Sequence, residues 1–330
     1  GVNLLDPCTG TGNFIVNLLR RIPKRDLPRM YREQLFANEV MLLPYYIAAL
    51  NIEHAHYELT GEYEPFEGLC FVDTLDMAEH AQTQFEFVTE ANTERVERQK
   101  GAPITVILGN PPYNVGQINE NDNNKNRKYP VIDRRDSDTY SRDSQATNRN
   151  ALSDPYVKFF RWATDRLHDR DGIVCFVSNN SFLDQIAFDG MRRHLAQDFH
   201  RIYHLNLQGN VRQNPKLSGT AYNVFGIKVG VGITIAGRHS GVRSGIFCHA
   251  VPLDWRRHKK LDWLREQRDL RSVPWQELTP DTRHTWLVPE HASEFAGFVS
   301  IGQKKGKGVP ADSVFDLFTN GVKTNRDDWM

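Results

Sequence analysis

The residues best suited to chemistry are Asn110-Pro111-Pro112-Tyr113. The Asn110 amide oxygen can accept a hydrogen bond from an exocyclic NH2. The Pro111 carbonyl can accept a second, and proline brings no N–H of its own to compete. Tyr113 offers a ring face on which a base can stack, worth about 1–3 kcal/mol. Together they suit a flat, amino-bearing substrate. Taken alone, the four residues are equally a plain proline turn after a strand.

The elements that must hold this turn are legible on its amino side. Ile104-Thr105-Val106-Ile107-Leu108 has the length and β-branched content of a buried strand. Gly109 lets the chain turn tightly. Two prolines then stiffen it and continue neither a helix nor a central strand. A rigid turn at a strand's carboxyl end is where open α/β sheets place their ligands.

A second motif opens the chain: Val2-Asn3-Leu4-Leu5-Asp6-Pro7-Cys8-Thr9-Gly10-Thr11-Gly12-Asn13-Phe14. An apolar strand ends in Asp6, and a loop with Gly10 and Gly12 leads into a helical run from Phe14 to Ile22. Glycines at such a turn let a ligand approach the backbone closely. A lone Gly-x-Gly is also compatible with a bare nucleotide fold.

Asp-Pro-Cys-x-Gly-x-Gly-x-Phe followed by Asn-Pro-Pro-Tyr resembles the S-adenosylmethionine-dependent amino-group DNA methyltransferases, most closely the adenine-N6 enzymes of the gamma arrangement. The resemblance runs from Gly1 to about Ala236. It implies a Rossmann-like seven-stranded α/β sheet, mostly parallel with an antiparallel closing strand. It implies S-adenosylmethionine binding by Asp6, Pro7, Thr9, Gly10 and Gly12, with Glu39 on the ribose, Asp73 on the adenine amino group and Leu75 packed on that ring. It makes Asn110, Pro111, Pro112 and Tyr113 catalytic. An aromatic that helps hold a flipped base is also implied, with Phe225 the first candidate and Tyr222 the second. Ordinary core packing is the other reading of Phe225.

The wider pattern is similar to the methylase segment of single-polypeptide, type ISP-like restriction-modification enzymes. That resemblance implies double-stranded DNA as partner, and helicase and nuclease parts on the same longer chain. The closing run Leu317 to Asp327 is similar to the junction into a target-recognition region. Both ends read as cuts, so a fragment is expected.

Composition bounds the rest. The chain has 330 residues, enough for one large domain or two smaller ones. Hydrophobic residues make up 39% of it, while a mean hydropathy of -0.55 implies long polar surface segments. No apolar run reaches membrane-spanning length and no signal peptide is visible, so a cytoplasmic protein is expected. Cys8, Cys70, Cys175 and Cys248 are scattered without a Cys-x-x-Cys pair, which suits reduced thiols and gives no metal site. Cys8 reads as a small packing residue. Basic and acidic residues balance at 41 each; nucleic-acid binding then needs a local basic face.

The remaining elements run in order along the chain. Pro23 to Arg32 reads as a solvated basic loop, with phosphate contact as the second reading. Gln34 to Val40 is a strand whose end places Glu39 where nucleotide folds put a ribose carboxylate; capping the next helix is its other reading. Met41 to Leu59 is a helix with Leu43, Ile47, Leu50 and Ile52 on its apolar face. His54 and His56 do not share a helical face. Gly68 to Leu75 is the third strand and its end, with Asp76 competing with Asp73. A polar helix is expected over 78–99.

Residues 117–153 form a flexible insertion rich in Asn, Asp, Arg and Ser, too polar to order itself strongly. Lys125, Arg127, Lys128, Arg134, Arg135, Arg142 and Arg149 can meet phosphates, and Tyr129 and Tyr140 can stack. A flap that orders on substrate and a disordered insertion both fit. Tyr156 to Leu167 is a helix and Gly172 to Ser178 a strand, followed by Asn179, Asn180, Ser181 and Phe182 as pocket lining or plain turn. After a helix from Met191 to Phe199, Ile202 to Leu207 and Asn223 through Ile235 pair as strands around a polar turn.

These elements give a methyltransferase domain over 1–237 and a less regular C-terminal extension over 238–330. The extension holds a strand at Gly245 to Val251, a charged helix from Pro252 to Arg271 that reads as a solvated face first and a DNA stripe second, and a basic linker, Gln303 to Gly308. The function expected is site-specific adenine-N6 methylation of DNA within a restriction-modification system. The alternatives are a protein-glutamine or RNA-base N-methyltransferase, or a non-catalytic recognition subunit.

Overall fold

Short apolar runs ending in polar or turn residues build one side of the sheet. They are β1 (Asn3–Asp6), β2 (Leu35–Glu39), β3 (Leu69–Phe71), β4 (Ile104–Gly109) and β5 (Gly172–Asn179). All pair in parallel, and β2 is buried at every position, as a strand covered on both faces requires. The computed structural model describes residues 1–79, 90–113, 128–211, 220–288, 291, 294, 297–302 and 313–315.

The strand order is β3-β2-β1-β4-β5-β7-β6-β8-β9. β6 (Arg201–Asn206) and β8 (Gly245–Ala250) run with the first five strands. β7 (Val231–Arg238) is wedged antiparallel between β5 and β6, and β9 (Gln276–Leu278) is antiparallel to β8. Among the described residues this sheet therefore has nine strands rather than the seven expected. The two extra strands come from the stretch assigned to the extension. The compact unit correspondingly runs over Gly1–Leu287 and does not stop at residue 237. Within the second unit, Val288–Met330, β10 (Ser300–Gly302) pairs in parallel with β11 (Ser313–Phe315).

Helices cover both faces, and the strands show why. Successive strand residues point to opposite sides. Leu4, Leu35 and Ala37 join one core with residues of α1 (Asn13–Leu19) and α3 (Leu42–Thr60). Leu5 and Phe36 join the other, with α6 (Pro155–Arg166) and α7 (Asp189–Asp198). The further helices are α2 (Leu27–Arg29), α4 (Glu90–Gly101), α5 (Pro130–Asp136) and α8 (Arg257–Glu266). Because β1 leads to β2 on one side and is flanked by β4 on the other, the switch point of the topology lies between β1 and β4. No helix among the described residues is long and apolar enough to cross a membrane.

Three local expectations change. α3 buries Ala48, Ile52, Ala55 and His56, while Leu43 and Leu50 are 70% and 68% exposed. The small alanines win that face because α1 starts close against it: a Cβ on Gly12 would lie 3.3 Å from the Ala48 backbone.

Part of the expected insertion, residues 117–127, lies outside the described residues. The rest of it, 128–153, is not structureless: it carries α5, a wide helical turn at Ser137–Ser141 and a tight one at Asn150–Ser153. Tyr129, Ile132, Tyr140 and Leu152 sit in the core, so the two tyrosines expected to stack on substrate are buried instead. Few apolar residues are present, but they fall on one side.

Finally, Asn223 to Val229 is a loop rather than strand, and β7 begins at Val231. Buried Asn223 organises it, donating to the Gly209 and Val229 carbonyls and accepting from the Phe225 and Ile227 amides.

Candidate active site

β1 delivers Asp6 fully buried at the rim. Its carboxylate accepts from the Cys8 amide at 3.2 Å and the Thr9 hydroxyl at 3.0 Å, closing a turn on itself. Burial nevertheless pushes its pKa up to about 7. The loop is fastened sideways by the Thr9 amide, which donates to the Asn38 carbonyl of β2 at 2.9 Å. Gly10 and Gly12 hold φ of +57° and +86°, a region that favours glycine. A Cβ on Gly10 would meet nothing within 4 Å, so space above the loop is open.

Glu39 performs the capping task that its position suggested and also ties down the glycine loop. It accepts from the Met41 amide at the entry to α3 and from the Gly10 amide, each at 2.8 Å. Each carboxylate oxygen keeps a further lone pair for a ligand hydroxyl. Burial raises its pKa against those backbone bonds. Asp73, beyond β3, accepts from the Leu75 amide at 3.1 Å and from the Tyr129 hydroxyl at 2.9 Å. Leu75 itself is buried in the core.

Behind these groups runs a buried polar chain that sequence reasoning missed. Gln99 donates to Asn38 at 2.8 Å, Asn38 to the Thr74 hydroxyl at 3.0 Å, and Thr74 to the Pro7 carbonyl at 2.5 Å. It ties α4, β2 and the end of β3 to the Asp6-Pro7 turn. The available signal was Asn38 inside an otherwise apolar strand.

The Asn110 turn lies directly beside the Asp6 turn, because Leu5 of β1 is in register with Ile107 of β4. A Cβ on Gly109 would lie 2.9 Å from Asp6 Oδ1, 3.2 Å from Cys8 Sγ and 3.3 Å from Pro7 Cδ. Glycine is therefore required for close approach. Asn110 and Pro112 are exposed, and Pro111 is buried. Tyr113 is half-buried against the core, which lifts its hydroxyl pKa to about 12. The buried Cys8 thiol is held against the Asn110 backbone and pushed well above its usual pKa.

Farther along the same rim, β5 ends in Asn179 and Asn180. Asn180 is a brace: its side chain donates to Asn206 at 2.6 Å and its amide to the Gly230 carbonyl at 3.1 Å. Phe182 is core, not pocket lining. Phe225 is 47% exposed on the loop between β6 and β7, so core packing is not its role. Tyr222 is half-buried, and its carbonyl accepts from Lys260 of α8. The structure thus brings Asp6, Pro7, Thr9, Gly10, Gly12, Glu39 and Asp73 to the carboxyl ends of β1 to β3, beside Asn110 to Tyr113. Phe225 and Tyr222 lie on the same rim, three strand positions from β4.

The Eco57I restriction-modification methylase family profile matches residues 48–210. A cryo-electron-microscopy structure of a DrdV–DNA complex is similar with 43% identity and a TM-score of 0.86, covering 100% of this chain and 32% of that one. The ATP-dependent type ISP restriction-modification enzyme LlaBIII, bound to DNA, is 37% identical with a TM-score of 0.87, covering 99% and 23%. A nuclease-deletion mutant of the type ISP enzyme LlaGI, in complex with a DNA substrate mimic, is 35% identical with a TM-score of 0.83, covering 92% and 26%. This chain thus spans about a third or less of the length of each. Comparison with curated proteins gives no match. The chain thus carries an Eco57I restriction-modification methylase domain over residues 48–210.

Proposed function

We propose that this chain transfers a methyl group from S-adenosylmethionine to the N6 amine of an adenine extruded from double-stranded DNA. The observation that carries the reading is the contact of the two turns, with Gly109 packed against Asp6 and Cys8. It supports reading the two turns as a donor pocket and an amine-binding turn side by side on one sheet rim.

The residues present fit the cofactor. Open space over Gly10 and the inward-facing carboxylates of Glu39 and Asp73 match a nucleoside. Glu39 would accept from the ribose hydroxyls and Asp73 from the adenine amino group, with Gly10 and Gly12 giving backbone approach. Asp6, Pro7 and Thr9 shape the turn beneath. When bound, the cofactor supplies a methyl group on a positively charged sulfur, which is already an activated leaving group.

The chain's own contribution is positioning. The adenine N6 lone pair is delocalised into the ring and is a poor nucleophile. Asn110 Oδ1 and the Pro111 carbonyl would accept both N6–H bonds, favouring a more tetrahedral nitrogen whose lone pair faces the methyl. Such orientation and charge complementarity supply most of the acceleration. Extruding the base costs a few kcal/mol, which stacking on Tyr113, with help from Phe225, offsets. DNA as substrate is supported by the DNA complexes of the similar enzymes. Their greater length supports a methylase segment within a longer polypeptide that also carries helicase and nuclease parts.

The test is incubation with labelled S-adenosylmethionine and duplex DNA, RNA or protein, followed by nucleoside analysis. Label in N6-methyladenine from DNA is expected. Label confined to RNA or protein, or to cytosine, overturns the assignment.

A further inference from the structure

Four consecutive basic residues, Arg256, Arg257, His258 and Lys259, stand exposed at the start of α8. As sequence they read as a solvated face. Their place in the fold says more. β8 runs parallel to β6, which lies parallel to β4 and β5 through the intervening β7. The carboxyl end of β8 is therefore on the rim that carries Asn110, and α8 begins just beyond it.

A buried lysine fixes α8 there. Lys260 is fully buried and donates to the Leu207 carbonyl at 2.7 Å and the Tyr222 carbonyl at 2.6 Å. Leu207 directly follows β6, and Tyr222 precedes the Phe225 loop. The first turn of α8 is thus bolted to the loop proposed to hold the base. The Lys259 ammonium lies 4.5 Å over the Trp255 ring, a cation–π contact that holds it beside the helix start. Of the nearby acids, Asp262 pairs with Arg265 at 2.6 Å, and Asp254 precedes the run. Among the described residues, Arg256, Arg257 and Lys259 are in no ion pair.

We infer that Arg256, Arg257 and Lys259 form a phosphate-binding lip that grips the DNA backbone beside the extruded base. This rests on the proposed DNA methyltransferase reading and adds a surface to it. Strand β8 is four steps from β4, about 19 Å, or five to six nucleotides along one strand at about 3.4 Å each. The exposed N–H groups of the helix start add to the attraction for phosphate. Such contacts position the duplex without reading its sequence.

The test is DNA binding by the full chain as a function of salt, with S-adenosylmethionine binding measured in parallel. R256A/R257A/K259A is expected to bind duplex DNA about tenfold more weakly or worse at 150 mM salt. Its log K against log salt slope should be shallower by about 2.7, or about 0.9 for each phosphate no longer neutralised. Cofactor affinity should be unchanged, which also shows that the variant folds. R256K/R257K/K259R should keep the parent slope. R21A/K24A/R25A, on the connection leading to the amino end of β2, removes equal charge and should also keep it. An unchanged slope in the first variant, or an equal loss in the last, overturns the lip. Absence of DNA binding by the parent chain overturns the lip and the DNA reading together.

Discussion

The Tyr129 hydroxyl donates to Asp73 Oδ2 at 2.9 Å. One residue lies near the start of the described part of the polar segment between the Asn110 turn and α6. The other is the carboxylate proposed for the cofactor's adenine. Tyr129 is itself pinned, its amide donating to Asp133 at 2.9 Å and its ring lying under Lys158 Nζ at 5.3 Å. The segment after the Asn110 turn and the carboxylate proposed for the cofactor therefore share a bond. Tyr129→Phe keeps the ring in the core and removes only the hydroxyl. It should cost about 1 kcal/mol of stability and weaken cofactor binding severalfold by freeing the Asp73 carboxylate to rotate. Calorimetric titration with S-adenosylmethionine checks this, and unchanged affinity would remove Tyr129 from the pocket.

Gly109→Ala tests the contact of the two turns. Its methyl group would enter within 2.9 Å of Asp6 Oδ1. Forced overpacking costs about 1–3 kcal/mol, and a displacement of about 1 Å can cost about a hundredfold in rate. Single-turnover methyl transfer should fall by that order while cofactor affinity changes much less. Near-parent transfer would show that the turns act independently.

The two loop glycines should separate. Gly10→Ala meets open space and bears only the cost of a left-handed conformation, about 1–2 kcal/mol. Gly12→Ala bears that cost and also presses on Ala48 and Ile52 of α3. Thermal unfolding should place Gly12→Ala clearly below Gly10→Ala, and equal melting temperatures would contradict the packing argument.

Asp136 gives a pH signature away from the site. Burial raises its pKa from 3.8 to about 7, against the pull of Lys158 and Arg161. A carboxyl with a raised folded pKa binds more protons folded than unfolded, so its contribution to stability falls as pH rises. The window runs from about 4 to about 7. Asp136→Asn should flatten the decline of unfolding free energy across it, measured by denaturant titration at several pH values. Asp6, raised to about 7 by the same cause, keeps its share of the slope in that variant.

Both chemical turns were legible because each rests on short-range rules: an apolar run sets a strand, and Gly or Pro sets the turn at its end. The strands from β1 through β8 were visible for the same reason. The features that stayed hidden depend on partners distant in sequence. Leu43 and Leu50 outrank Ala48 on a hydrophobicity scale, yet only alanine lets α1 lie against α3. The ordering of residues 128–153 rests on α6 and α7, against which Tyr129, Ile132 and Tyr140 pack. Asn223 looks like one more polar residue until its contacts with the Gly209 and Val229 carbonyls are known. Lys260 reads as one charge in a charged helix, and only its burial reveals its task.

Because β7 runs against its neighbours, the chain leaves β6 and enters β7 on the same rim that carries Asn110, with no crossover helix among the described residues. The described parts of the connection between them, residues 207–211 and 220–230, are clasped at their root by Asn180, Asn223 and Lys260. Such a segment can lengthen, shorten or change its side chains while every strand register stays as it is. Diversification of the surface proposed to grip substrate can therefore proceed there without endangering the scaffold.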